Sequence, residues 1–271
     1  MRIFFVLAAI STCFIIGCNR DETPGDIKKS DSRTNPEFSS IQKNCTDYGE
    51  LSFGDFLLWN NVWGKEDRSN YDQCIELKLN DTTCEMDWTW YWPDDKTGTV
   101  KAYPNIVYGW LPWYERFTNN DLPSRIADIS DITITWDKLN SEFTGIGNFS
   151  FDIWITYGDP PFGTNITHEI MIWLKNVDML PAGNFREKLT LDDVNYKLYE
   201  WDREWIYLAF DQISSRNTNE IKLGPFLNFL MENKLLSQNE FLSSICLGNE
   251  VIYGNGKTEV ENYKIEIKKF H

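Results

Sequence analysis

From about Cys45 onward the chain is written in short runs of alternating apolar and polar residues, broken every few positions by Gly, Pro, Asn or Asp. Period-two alternation divides side chains between the two faces of a strand, and turn residues at such close spacing leave little room for helix. Strands are expected over 56–62, 84–92, 131–136, 149–157, 168–174, 194–201, 205–211, 240–252 and 263–267. A single helix is expected over 225–236, where Phe226, Phe229, Leu230 and Asn233 recur at helical spacing and Pro225 suits a first helical position. Many strands with one helix indicate an all-β fold, a jelly-roll sandwich of two antiparallel sheets. At 271 residues the chain suits one such domain with a substantial core.

The N-terminus reads differently. Arg2 is followed by an apolar run that stops at Ile15-Ile16-Gly17-Cys18, the pattern of a secretory signal ending in a lipobox. The organisation expected is a lipoprotein signal over 1–17, a lipid-anchored flexible linker over 18–43 and a catalytic body over 44–271. Cys18 is the expected lipidation site, holding an exported protein to a lipid bilayer at the outer membrane or cell surface without spanning it. Residues 19–43 are polar, carry Pro24 and Pro36 and show no hydrophobic period, as a tether should.

A formal net charge of −15 argues against nucleic acid and against anionic polysaccharide, and leaves a neutral glycan as the better partner. Of six cysteines, Cys13 falls in the signal and Cys18 at its end. The remaining four, Cys45, Cys74, Cys84 and Cys246, are an even set in an exported chain, which favours disulfides in one of three pairings. Only His168 and His271 are available for a histidine-based metal site or triad, so no metal or cofactor is implied. A monomer is expected.

Three strands carry the functional signal. Over 168–174, Ile170, Ile172 and Leu174 share one face, while Glu169, Met171 and Trp173 share the other. Over 149–157, Phe149, Phe151, Ile153 and Ile155 face one way and Asp152 and Trp154 the other. Over 84–92, Trp88, Trp90 and Trp92 line up on one face. Open-face carboxylates flanked by indoles suit a sugar, whose ring faces stack on Trp while its glycosidic bond needs acids and bases. Trp88 and Trp90 are therefore expected as sugar platforms, with a Trp-rich core layer as the alternative. A second carboxylate comes from Glu250, expected at a strand end between glycines that let backbone approach a ligand.

Together these residues resemble glycoside hydrolase family 12, the small jelly-roll endo-β-1,4-glucanases and xyloglucanases. The resemblance runs from Cys45 to about residue 267. Asn60-Asn61-Val62-Trp63-Gly64, Ala102-Tyr103-Pro104-Asn105, Phe151-Asp152-Ile153-Trp154, the stretch from Glu169 to Leu174 and Gly248-Asn249-Glu250 follow the order of that family's motifs. The resemblance implies Glu169 as nucleophile, Glu250 as general acid/base and Asp152 as an acidic neighbour of the nucleophile. It implies Asn61 and Trp63 as substrate contacts, with Trp63 a stacking platform, and Met171 beside the point of cleavage. Cys45 and Cys74 match the family's N-terminal disulfide; a bridge between Cys84 and Cys246 stays open. His168 departs from the family pattern, and by alternation its ring should point to the core. The activity implied is retaining, endo-acting hydrolysis of β-1,4-glucosidic bonds in cellulose, mixed-linkage glucan or xyloglucan. The alternative is a noncatalytic cell-surface glycan-binding lipoprotein using the same Trp groove.

Overall fold

The computed structural model describes residues 38–114, 116–158 and 165–270. The expected signal 1–17, Cys18, the tether as far as residue 37, most of the Pro160–Pro161 loop and His271 lie outside them. One hydrogen-bonded path runs through Ser40–Asn44, Asp72–Leu79, Cys84–Trp92, Val251–Glu261, Lys138–Thr156, Ile166–Val177, Ile206–Gln212, Val194–Asp202 and Asn184–Leu191. Phe241–Gly248 branches from the long strand and carries Asn105–Leu111, which pairs in turn with Phe56–Trp59. A separate three-stranded sheet joins Glu220–Lys222, Ile129–Thr135 and Lys264–Lys269. The sheets curl into a nearly closed sandwich, the expected all-β class. Among the described residues every strand pair is antiparallel except Ile166–Val177 with Ile206–Gln212.

The 19-residue strand Lys138–Thr156 organises the site. Its first half pairs with Val251–Glu261 and its second half with Phe241–Gly248, so residues expected as one strand over 240–252 form two. The break falls at Asn249–Glu250. Close by, Gly145 and Gly254 face each other with φ of 92° and 120°. A Cβ on Gly254 would meet the Thr144 carbonyl at 1.9 Å. Only glycine permits this approach, and beside it the ladder shifts register between Ile146 and Gly147, opposite Tyr253 and Val251.

Phe149, Phe151, Ile153 and Ile155 enter the main core with Ile170 and Ile172, as alternation predicts. The helix, Gly224–Glu232, closes part of that core with Phe226, Leu227 and Leu230; Phe226 lies edge-on to Phe210 at 5.1 Å. It ends short of residue 236 because Asn233 caps it, its amide donating to the Phe229 carbonyl at 2.8 Å, and Lys234 turns into the left-handed region. Ser40–Asn44, expected as tether over its first four residues, is a strand on the edge of Asp72–Leu79, so the body begins before residue 44. The Cys45–Cys74 disulfide is formed, while Cys84 and Cys246 are free thiols.

Trp88 and Trp90 require a correction. They share a face with Trp92, but that face is the core: the three are 0%, 5% and 1% exposed and none of them lines the trough. Alternation divides a strand into two faces without saying which is inside. Here Glu85 and Asp87 take the outer face, held by the Lys78 ammonium at 2.7 and 2.6 Å, and a buried indole row is the consequence. The Trp88 N–H donates to Asn249 Oδ1 at 2.8 Å. Trp88→Phe is therefore expected to cost about 2 kcal/mol of stability through a small cavity and one lost hydrogen bond to Asn249 Oδ1, which keeps Thr258. It should leave KM for glucan oligosaccharides unchanged. A raised KM at unaltered melting temperature would return Trp88 to the sugar.

Candidate active site

Glu169, Asp152 and Glu250 line one trough with a volume of about 1270 Å³. Its geometry follows from the ladder. Glu169 stands opposite Trp154 on one side and Tyr207 on the other, while Asp152 stands opposite Met171 and, across the next strand, Cys246. Glu250 reaches the same space from the break after Phe241–Gly248, its backbone carbonyl accepting from Asn148 N–H at 3.0 Å. Three carboxyl groups from three chain segments thus meet on the face that alternation assigns to Glu169.

Each carboxyl group has its own support. Glu169 Oε2 accepts from the Trp205 indole N–H at 2.8 Å. Asp152 Oδ2 accepts from Trp154 Nε1 at 2.8 Å, and its Oδ1 is buried without a partner. The Asn148 side-chain amide donates to Glu250 Oε2. Behind Glu250, Asn249 is fully buried and uses all its capacity. Its Oδ1 accepts from Trp88 and, at 2.7 Å, from Thr258; its Nδ2 donates to Ser141 Oγ at 3.1 Å and the Asn148 carbonyl at 3.0 Å. A buried amide with every bond made fixes its segment rigidly, and here the segment carries Glu250.

Electrostatics match a site for acid–base work. Burial pushes the Glu169 carboxyl up to about 8; the Trp205 N–H opposes this and the charge of Glu250 adds to it. Burial pushes Glu250 up to about 7, against the Asn148 hydrogen bond. Asp152 is raised well above the usual carboxylate range by burial first, then by the charges of Glu169 and Glu250. The group therefore holds protons at neutral pH and titrates as a unit. Asp152, implied as an acidic neighbour of the nucleophile, gives Oδ2 to Trp154 and keeps Oδ1 without a partner.

The expected substrate contacts divide by exposure. Trp63 is 59% exposed on the trough wall, the open platform its stacking role needs. Asn61 also lines the trough, its Oδ1 accepting the Trp63 backbone N–H at 3.1 Å and so shaping that loop. Met171, Trp173 and Trp154 form the buried floor. Met171 Sδ accepts from the Trp173 indole and the Tyr207 hydroxyl, both at 3.4 Å. Trp59, Trp113, Tyr114, Trp201 and Arg203 also line the trough, with the Arg203 guanidinium 3.7 Å above the Trp201 ring. His168 points away from the trough into the core, as alternation requires, with Nδ1 3.3 Å from Glu240.

Sequence reasoning missed Trp205, Asn148 and Trp59. Asn148 carries a signal in hindsight: a polar residue at the inner end of an apolar strand, one position before Phe149. Trp205 carries none, because its place beside Glu169 depends on the parallel pairing of Ile166–Val177 with Ile206–Gln212 across an intervening hairpin.

The chain's likenesses agree with this geometry. The model of glycosyl hydrolase family 12 matches residues 54–268. Endoglucanase S of Pectobacterium parmentieri is 29% identical over 242 residues, covering 84% of this chain and 89% of the relative. The xyloglucan-specific endo-β-1,4-glucanase A of Emericella nidulans is 26% identical, covering 82% and 90%. Among solved structures, the native family 12 xyloglucanase from Bacillus licheniformis superposes with a TM-score of 0.74 at 26% identity, covering 84% of this chain and 100% of that one. An endoglucanase from Rhodothermus marinus superposes with a TM-score of 0.73 at 25% identity, again over 84% and 100%. With the family model spanning most of the chain and the carboxyl groups gathered in its trough, the protein belongs to glycosyl hydrolase family 12.

Proposed function

We propose that this protein is a retaining, endo-acting hydrolase of β-1,4-glucans, with Glu169 as nucleophile and Glu250 as general acid/base. The observation that carries this reading is the meeting of Glu169, Asp152 and Glu250 in one long aromatic trough on a family 12 fold. The names of the relatives, endoglucanase and xyloglucan-specific endo-β-1,4-glucanase, support the substrate class.

Retention needs two carboxyl groups about 5–5.5 Å apart, so that one attacks directly. Glu169 attacks the anomeric carbon and forms a glycosyl-enzyme while Glu250 gives its proton to the departing glycosidic oxygen. Glu250, now ionised, takes a proton from the incoming water, and the hydroxide so formed releases the sugar with its configuration restored. Positive charge developing on the sugar favours the ionised form of the carboxylate beneath it, which separates the roles once substrate is bound. Asp152, buried and neutral, adds no competing negative charge to the floor.

Incubation with cellulose, mixed-linkage β-glucan and xyloglucan tests the reading. A rapid fall in viscosity with release of reducing ends is expected on at least one. Binding without new reducing ends on all three would make the protein a glycan-binding module instead.

The same reading includes export as a lipoprotein, on the strength of the apolar run ending at Gly17-Cys18. Cells fed a labelled fatty acid are expected to label the protein, and Cys18→Ala to abolish the label and free the enzyme from membranes. Unaltered membrane association of the Cys18→Ala protein would refute the anchor.

A further inference from the structure

Resting on the assignment of Glu169 as nucleophile, we infer that Trp205 is a positioning residue for it: the indole N–H orients the attacking carboxylate. Trp205 immediately precedes Ile206–Gln212, the strand that pairs in parallel with the Glu169 strand. Its N–H reaches Glu169 Oε2 at 2.8 Å and is the one side-chain hydrogen bond to Glu169 among the described residues. Asp152 Oδ2 accepts from Trp154 while its Oδ1 has no partner, the Tyr207 hydroxyl donates to Met171 Sδ, the Glu250 carboxyl is held by Asn148, and Arg203 stacks on Trp201. Glu204 shares the trough lining, and His168 lies on the opposite face of the strand with Glu240.

The indole is itself held in place. Trp205 meets Trp154 edge-on at 5.7 Å, and Trp154 meets Trp113 edge-on at 4.4 Å. Two packed indoles therefore give one N–H each to two carboxyl groups, Trp154 to Asp152 and Trp205 to Glu169. An indole donates and never accepts or titrates in the working range. It anchors one oxygen, leaves the other for attack, and favours the anion at every pH. Burial and the Glu250 charge push Glu169 toward its protonated form, and this N–H opposes them.

The test replaces Trp205 by Phe, which keeps an aromatic ring and removes the donor, and separately by benzothienylalanine, which differs from Trp by sulfur in place of N–H. With the glucan the wild-type enzyme turns over best, kcat and kcat/KM are each expected to fall about 10–100-fold, with KM nearly unchanged. With Glu169 raised to about 8 and Glu250 to about 7, the productive form, Glu169 ionised and Glu250 protonated, is the minor one, and the upper limb of the kcat/KM profile follows Glu169. Losing a donor to the anion raises that pKa, so the upper limb should move to higher pH by about one unit while the lower limb holds. An unshifted upper limb in both Trp205 variants would overturn the inference. If the Phe variant does not fold, the benzothienylalanine protein decides alone. A wild-type protein inactive on all glucans would instead sink the functional reading itself.

Discussion

Glu169→Gln is expected to remove turnover on β-glucan by on the order of 10⁴-fold or more, because an amide cannot form the glycosyl-enzyme. The loss should appear with every leaving group, since the nucleophile serves the first step whatever departs. The fold should survive, and the sign of linkage says more. The carboxyl of Glu169 is raised from 4.5 to about 8, so between those values the folded chain holds a proton that the unfolded chain has lost. The contribution of Glu169 to stability is therefore greatest at low pH and declines as pH rises toward 8. Glutamine carries no such penalty, and the variant should melt no lower than wild type at pH 8. Melting curves across pH with kcat on one polymer check both halves. Strong residual activity at intact fold would remove Glu169 from the chemistry.

Glu250→Ala should behave differently. On polymer, kcat is expected to fall about 10²–10⁴-fold, the usual worth of general acid–base catalysis. On a cellobioside with a dinitrophenyl leaving group the first step needs no proton, so the glycosyl-enzyme forms and then waits for water. Added azide, which needs no general base, should restore turnover and give the β-glycosyl azide. In the wild-type enzyme the proton-donating form of Glu250 is lost as pH rises through about 7. An α-azide, or no response to azide at all, would contradict the role assigned to Glu250.

Much of this site was legible as alternation. The stretches at 149–157 and 168–174 give the right partition, and in both the mixed carboxylate–indole face is the trough. The same rule failed at Cys84–Trp92, where the indole row is the core and the acidic residues share the opposite face. What separates the cases is the company on that opposite face. Behind Glu169 and Asp152 stand apolar residues that must be buried; behind Trp88 and Trp90 stand Glu85, Asp87 and Thr89, of which Asp87 is buried with the Lys78 ammonium as its partner. The break at Asn249–Glu250 was hidden because Asn148, which meets Glu250 there, lies 102 residues away. Trp205 was hidden for a related reason: a parallel pairing across a hairpin leaves no local pattern. Local periodicity reports which side chains share a face. It does not report which strand lies alongside.

The assignment of Glu169 is tested most directly by trapping the covalent intermediate. A 2-deoxy-2-fluoro cello-oligosaccharide with a good leaving group slows hydrolysis of the glycosyl-enzyme so that it accumulates, and peptide mass spectrometry then locates the sugar. Stoichiometric labelling at Glu169 is the expected result. A label on Asp152 or Glu250, or an active enzyme that accumulates no adduct and releases the inverted anomer first, would contradict a nucleophile at Glu169.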